Sequence, residues 1–376
     1  MQPLVVEPRE TLTEDDVTGL ITAASGVTIG CGCELLDLSL NVLEDISADF
    51  RGGSVSRASY ANLHGTAKLS ISRELPYAWA ILRPYLTMTD GTTTARFRLG
   101  AYYTNTPARS LAERPVTYEV ECYDILSILD DQVGDAYAVA EGTSYLVAVE
   151  QILQSRGVTE YIIDQQSAAT LPTDRVWTFD DTTTWLGIVN DLLGSIGYAG
   201  IWFDWDGRLR AEPYTSPRDR APEWTYDTGS LTSMLGVNRV AERDFTNAPN
   251  RWVFVRQNNA DDFTPPTEGD GIYTVTNDLS GDTSIAGRRR TITKKVMLDA
   301  ADQESLVAAA QRTIDADTSI PVKIAASTFP NPLHWHFDVA YLDDPAFGPP
   351  VNILVTRWTL PLSGGDQTHE WTVLAP

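Results

Sequence analysis

What most constrains this chain is an apolar period of two that governs both ends and gives way in the middle. In "TAKLSIS", Ala67, Leu69 and Ile71 alternate with Lys68, Ser70 and Ser72, the spacing that turns apolar side chains to one face of a strand. After a turn expected at Asp90-Gly91, "ARFRLGAYYTN" repeats the pattern with Phe97 and Leu99 against Arg96 and Arg98. Strand signals run from Val27 to Thr104. "PVTYEVECYDILSILDD" then passes from period two into an apolar helical turn at Ile125, Ile128 and Leu129, as at the end of a β-barrel that feeds a helix. The 376 residues carry 21 Pro and 26 Gly, which predicts many short elements joined by turns, and such a length calls for about two to four domains.

The middle changes period. "GTSYLVAVEQILQSRG" places Tyr145, Val149, Ile152 and Leu153 on one helical face, with Gly157 as the C-terminal cap. "DDTTTWLGIVNDLLGSIG" does the same with Trp185, Ile188, Val189, Leu192, Leu193 and Ile196, and offers Asp181 or Thr182 as N-cap. Both helices are expected to pack on the following hairpin, "GIWFDWDGRLRAEPY", turned at Asp206-Gly207 by a two-residue type I′ loop. A calcium loop does not fit "WFDWDG": that alignment puts Trp202 at the first ligand position and Pro213 where a bidentate Glu belongs.

β structure returns from Asn238. "NRWVFVR" predicts a strand covered on both faces. Loops at "TPPTEGDGIY" and "NDLSGDTSIAG" flank another strand. "LDAADQESLVAAAQRTIDAD" predicts a helix with Asp299 and Asp302 favourably near its N-terminus. "HWHFDV", "NILVTRWTL" and "HEWTVLA" read as strands.

"NPLHWHFDVAYLDD" holds two of the four histidines and spells His334-x-His336-x-Asp338. On an extended strand the three would project together, and imidazole and carboxylate suit zinc or iron. Metallohydrolases of the metallo-β-lactamase type carry H-x-H-x-D-H, but the last His is here Val339, and only His64 and His369 remain as nitrogen ligands. An amphipathic strand with Trp335, Phe337 and Val339 on its buried side explains the pattern without a metal. The sequence lacks G-x-x-x-x-G-K-[ST], G-x-S-x-G and a G-x-G-x-x-G after a strand, and "HEWTV" has Val373 where H-E-x-x-H needs its second His. The expectation is a protein that is not an enzyme, with no catalytic residues, no metal and no cofactor.

Cys31 and Cys33 are too close for a relaxed disulfide, and Cys122, alternating with Tyr118 and Val120, reads as a buried thiol in a reduced compartment. No apolar run approaches the roughly 18 residues that span a bilayer, and the amino terminus lacks a signal-peptide pattern; a soluble chain without a membrane segment is expected. Twenty-eight Lys and Arg against 51 Asp and Glu give a formal charge of −23, which disfavours binding to phosphates; it would let DNA pass without sticking if the surface lined a passage, and its alternative reading is solubility alone. One basic island, Arg288, Arg289, Arg290, Lys294 and Lys295, is the candidate interface, for an acidic partner or an identical subunit; its alternative reading is a surface strand whose charges offset nearby acids.

The succession "RPYLTM", "RFRLGAYYTNTP", "EVECYDILSILDD", "TTTWLGIVNDLLGSIGYAGIWFDWDGRLRAEPY", "NRWVFVRQN", "EGDGIYTVTN", "DTSIAGRRR", "LDAADQESLVAAAQRTI" and "NPLHWHFDV" with "ILVTRWTLPLSGG" resembles the baseplate hub, or tail-associated minor tail, proteins of tailed bacteriophages. The resemblance spans most of residues 30 to 376 and rests on the order of the segments. It implies a mainly β fold with α+β parts: a first tube-type β-barrel domain over 1–133, an α+β domain with two helices and a hairpin over 134–224, a second tube-type barrel over 225–290 and 319–376, and a helical insertion over 291–318. It implies a structural role as a homotrimeric ring at the distal end of the tail, adapting the sixfold tube to the threefold tip and lining the path of DNA ejection. Implied partners are the distal tail protein, the tape-measure protein and central fibre or spike proteins, with genomic DNA passing through without specific binding. The implied location is the virion tail tip, after assembly in the host cytoplasm. Many members continue into a peptidoglycan hydrolase or fibre region; this chain stops at "EWTVLAP", so lytic activity is expected elsewhere. The competing functions are a metallohydrolase built on His334, His336 and Asp338, and a carbohydrate-binding tail module suggested by the 10 Trp.

Overall fold

The computed structural model describes residues 14–22, 26–110, 116–178, 183–229, 234–243, 248–256, 267–278, 283–298, 300, 302–318 and 322–374. Fourteen strands join in one sheet. Its path runs Leu235–Arg243, Val322–Thr328, Gln367–Val373, Val351–Pro361, Phe50–Ala58, Gly65–Ile71, Thr117–Asp124, Tyr102–Ser110, Ile81–Thr89, Thr28–Leu36, Val42–Asp45. Thr94–Arg98 adds to Ile81–Thr89, and Val339–Asp343 pairs with both Val351–Pro361 and the parallel strand Trp224–Asp227.

The alternation reads the strands well. Gly65–Ile71 buries Ala67, Leu69 and Ile71, Thr117–Asp124 buries Val120 and Cys122, and a 3-10 turn follows at Ile125–Ile128. The two β regions do not, however, close into separate barrels among the described residues; they share one open sheet. The seam is Val351–Pro361, long enough at 11 residues to divide its labour. Its first half pairs with Val339–Asp343, and its second half pairs antiparallel with Phe50–Ala58, from Arg357 opposite Ala58 to Pro361 opposite Ser54. A strand shared in this way welds chain segments some 300 residues apart, so neither region ends in a barrel seam of its own.

Between the β regions, helices Tyr145–Ser155 and Trp185–Ser195 pack together and against a small sheet of Tyr161–Ile163, Leu209–Ala211 and Trp202–Phe203. The buried faces are those the 3.6 period predicts, except that Trp185 is only half-buried. Gly157, at φ 77, ends the first helix as expected. The second helix is capped by Thr184, whose Oγ1 accepts the amide of Gly187 at 3.1 Å; Asp181 and Thr182 lie outside the described residues.

The hairpin turn also differs from expectation. Asp204 N–H donates to Arg208 O, Gly207 N–H donates to Asp204 O, and only Gly207 of the turn has positive φ, +93. This is the three-residue loop that ends in a left-handed glycine. Its cause is Asp204: the buried carboxylate accepts the amides of Asp206 and Arg208, both at 3.0 Å, and pairs with Arg208 and Arg210.

Residues 251–317 build a satellite core. Strands Thr267–Glu268, Gly271–Thr276, Arg251–Arg256 and Thr293–Leu298 form a sheet, in that order, against helix Gln303–Thr318. Asp302 caps the helix through the amide of Ser305 at 2.8 Å, while Asp299 lies outside the described residues. Arg251–Arg256 was expected to be covered on both faces. Only Trp252 and Phe254 are fully buried, beneath the helix; Val253 and Val255 are half-buried on the other face. Burying a side chain such as Phe254 contributes about 2 kcal/mol, and the covered face is where this unit gains it.

Candidate functional site: the three-part junction, the sheet edges and the basic island

His334, His336 and Asp338 do not share a strand face. Residues 331–338 form a turn, and the next strand starts only at Val339. Asn331 starts the turn, its Oδ1 accepting the amide of Leu333 at 3.1 Å ahead of the strand, and Asn-Pro is the sequence signal for it. Asp338 then folds the chain back: its Oδ2 accepts the amide of Trp335 at 2.7 Å and lies 3.2 Å from His334 Nδ1. Phe337 takes the left-handed conformation, φ 52.

His334 and Asp338 are thereby brought together, both 1% exposed, and His336 is turned away. Burial works against the charge of Asp338, but the hydrogen bond from His334 and the amide of Trp335 hold its pKa below the usual carboxylate range. An ionised Asp338 accepts only, so Nδ1 of His334 donates to it. Nε2 faces the hydroxyl of Tyr226 at 2.5 Å, and burial pushes the Tyr226 phenol up, so that it keeps its proton. His334 thus has both nitrogens engaged. His336 stacks on Trp202, ring centroids 5.2 Å apart, and lies 4.7 Å from the ring of His64. Among the described residues no group of three or more His, Cys, Asp and Glu is placed to hold a metal ion.

The loop instead completes a junction of three chain regions. Trp335 Nε1 donates to the carbonyl of Phe203 at 2.7 Å, and Arg57 Nη2 reaches the same oxygen at 3.3 Å. Arg57, 2% exposed, lies between two rings, 4.3 Å from the centroid of Phe203 and 4.6 Å from that of Trp335. Burial lowers its guanidinium to about 10, opposed by Tyr102, Asp124, Asp338 and Asp204. Burial likewise pushes Asp124 up to about 7, against the amides of Gly65 and Leu126 and the charge of Arg57. His64 is lowered to about 3 by burial and then by Arg57, and His336 falls well below the imidazole range by burial, then by His64, Arg57 and Arg220. The junction is therefore cationic at one point and neutral at both imidazoles. A cleft of about 1020 Å³ opens beside it between Tyr60, His64, Trp202, Tyr214, Arg312 and His336.

Sequence reasoning missed Arg57 as part of the site, although a signal exists. In "FRGGSVSRA" it takes the phase of Val55, a charge at an apolar-face position, and both are buried. Thr328 Oγ1 meets His369 Nε2 at 2.8 Å, a second hydroxyl–imidazole contact beside that of Tyr226 and His334. Thr328 and His369 are sealed from solvent, 1% and 3% exposed. Trp252, Trp335, Trp358 and Trp371 are likewise buried and offer no sugar platform, whereas Trp79 is 48% exposed.

Among the described residues the two ends of the large sheet carry no further strand, and both expose apolar side chains. Leu235–Arg243 exposes Val237 at 91% and Val240 at 59%; at the other end Val42 and Leu43 are exposed on Val42–Asp45, with Leu38 beside them. Unpaired strand edges of this kind template pairing with another chain.

The basic island is divided. Arg288 Nη1 binds the carbonyl of Ala248 at 2.8 Å, and Lys294 Nζ pairs with Asp317 at 2.8 Å, which also accepts Trp252 Nε1 at 2.9 Å. Arg289, left-handed at φ 54, Arg290 and Lys295 are exposed.

With this geometry, the protein aligns along nearly its whole length with solved tail proteins. A tail protein from Neisseria meningitidis MC58 matches 92% of this chain and 97% of its own, with TM-score 0.63 and 11% identity. The fold is that of phage tail proteins. The 43 kDa tail protein of prophage MuSo2 from Shewanella oneidensis gives TM-score 0.62 at 11% identity over 93% of this chain and 99% of its own. Prophage tail protein gp18 from Listeria monocytogenes EGD-e gives 0.52 at 11% identity, over 91% and 94%. The sequence itself matches no known protein family and no curated protein. The tail-protein fold here contains no helix, among the described residues, long and apolar enough to cross a membrane.

Proposed function

We propose that the protein is a structural hub of a phage tail, a non-enzymatic homotrimeric ring at the distal end that adapts the sixfold tube to a threefold tip in the virion. The observation that carries this reading is the open fourteen-stranded sheet with apolar residues exposed at both ends. Two different edges favour a head-to-tail contact, and such contacts make rings when the rotation closes. In the ring, strands 28–124 and strands 224–243 with 322–373 serve as the two tube-type units of each chain, so three chains supply six. The distal tail protein, the tape-measure protein and a central fibre or spike are the neighbours this role requires.

The charge of −23 fits a passage for DNA: carboxylates on the inner wall hold no phosphates, whereas a cationic wall would slow the genome by many contacts. Screening acts over about 8 Å at physiological salt, so only groups facing the lumen count.

The test is the pair Val237→Asp and Val240→Asp, combined, in sedimentation velocity over a concentration series. Wild type is expected to form trimers and the variant to remain monomeric with an unchanged far-ultraviolet spectrum. A wild type that never associates, or a variant that associates equally well, contradicts the reading.

A further inference from the structure

The satellite sheet is covered by its helix on one face only. Trp252, Phe254, Tyr273, Val275, Val296 and Leu298 pack on that side. The register fixes what stands on the other: Val253 lies between Thr274 and Lys295, Val255 between Ile272 and Met297, and Arg251 between Thr276 and Thr293. Val253, Val255 and Ile272 are half-buried, Met297 is 58% exposed, and Arg251 and Lys295 are exposed. Arg290 adjoins this rim, because Asn250 Nδ2 binds its carbonyl at 2.8 Å immediately before Arg251. Lys294, one residue from Lys295 but on the helix side, is consumed by Asp317. Among the described residues no ion-pair partner faces Arg251, Arg290 or Lys295.

We propose that this outer face, an apolar centre rimmed by Arg251, Arg290 and Lys295, docks the acidic surface of a second copy of the chain. The proposal rests on the ring reading and names a contact within it that is separate from the ends of the large sheet. Cations without an ion-pair partner among the described residues gather here in a chain that carries 51 acidic against 28 basic residues, so the protein's own remaining surface is the complementary one. Charge complementarity orients the encounter, and the apolar centre supplies surface that gains from being covered. The two sides of such a contact differ, so it passes from copy to copy around a ring instead of pairing two copies about a twofold axis.

The experiment uses the full chain with Arg251→Glu and Lys295→Glu combined, followed by sedimentation velocity at low and physiological salt, with and without duplex DNA. Wild-type association is expected to weaken as salt rises, and the double reversal to weaken it at least tenfold at low salt while the melting temperature is retained. If the reversal disturbs folding, Arg251→Gln with Lys295→Gln removes the charges while keeping polar side chains and is expected to weaken association about threefold, with a flatter salt dependence. A wild type that stays monomeric at every concentration overturns the ring reading and the docking with it. A wild type that assembles, with both variants assembling within twofold of it, overturns the docking alone. DNA binding that the variants lose while self-association is unchanged also overturns it, by assigning the face to nucleic acid.

Discussion

Trp335 donates its indole proton to the main-chain carbonyl of Phe203 at 2.7 Å, and Arg57 approaches the same oxygen from between their two rings. One carbonyl therefore joins the amino-terminal β region, the α+β part and the carboxy-terminal β region. Close approach at this point is enforced by glycine: a Cβ on Gly100, at φ +92, would come within 2.7 Å of the Phe203 ring.

Arg57 holds the junction more by its stem and stacking than by its charge, since Nε and Nη1 find no hydrogen-bond partner among the described residues. Replacing a buried cation by an apolar residue of similar size is often neutral or stabilising, whereas truncation leaves a cavity. Arg57→Met is expected to unfold within about 1 kcal/mol of wild type or above it, and Arg57→Ala about 2–4 kcal/mol below it. Urea titrations that rank Met as the worse substitution would reverse this account.

Asp338 is the organiser of the His334 loop. Asp338→Ala strands the amide of Trp335 and Nδ1 of His334 in a buried site, at a cost of about 2–4 kcal/mol. His334→Gln should cost about 1–3 kcal/mol, because His334 is a buried bridge and not the polar side of an exposed strand. Chelator treatment should leave the melting temperature of wild type unchanged. A melting temperature that falls on chelation and recovers with zinc would restore the metal reading.

Three histidines set the acid limit of the fold. His64, His336 and His369 have their folded-state pKa lowered by burial, so below the unfolded value of 6.5 the unfolded chain binds protons that the folded chain refuses, and stability falls with pH. Asp124 acts oppositely: raised to about 7, it is protonated in the folded state between about pH 4 and 7, so its contribution to stability grows as pH falls through that window. Near pH 5 the balance is an uptake of about two protons on unfolding, or about 3 kcal/mol lost per pH unit. His64→Gln should reduce the slope by about one proton. A flat stability between pH 6 and 5 would contradict the buried, neutral state of these imidazoles.

The sequence displays the parts of this fold more clearly than their joins. Period two in "TAKLSIS" and period 3.6 in "YLVAVEQIL" are local, and both are realised in the structure. The joins are not local. Nothing in "NILVTRWTLP" says that its second half will pair with residues 54–58, because strand pairing is chosen by partners far along the chain. The His334 loop misleads for a different reason: its alternation suits a strand, but Asn331-Pro332 and the Asp338 carboxylate favour a turn, and a few side-chain hydrogen bonds outweigh a short apolar pattern. Arg57 is legible only as a charge that falls in the apolar phase of its strand. Arg251 belongs with Lys295 solely through sheet register, so inspection of the island by sequence neighbours left it out.

Electron microscopy of the purified protein, imaged with image classification at micromolar concentration, addresses the central claim most directly. The account predicts closed rings of three chains with an open lumen, sixfold in outline from six tube-type units, and with carboxylates on the inner wall. Monomers that persist at high concentration and in the presence of neighbouring tail proteins would contradict it.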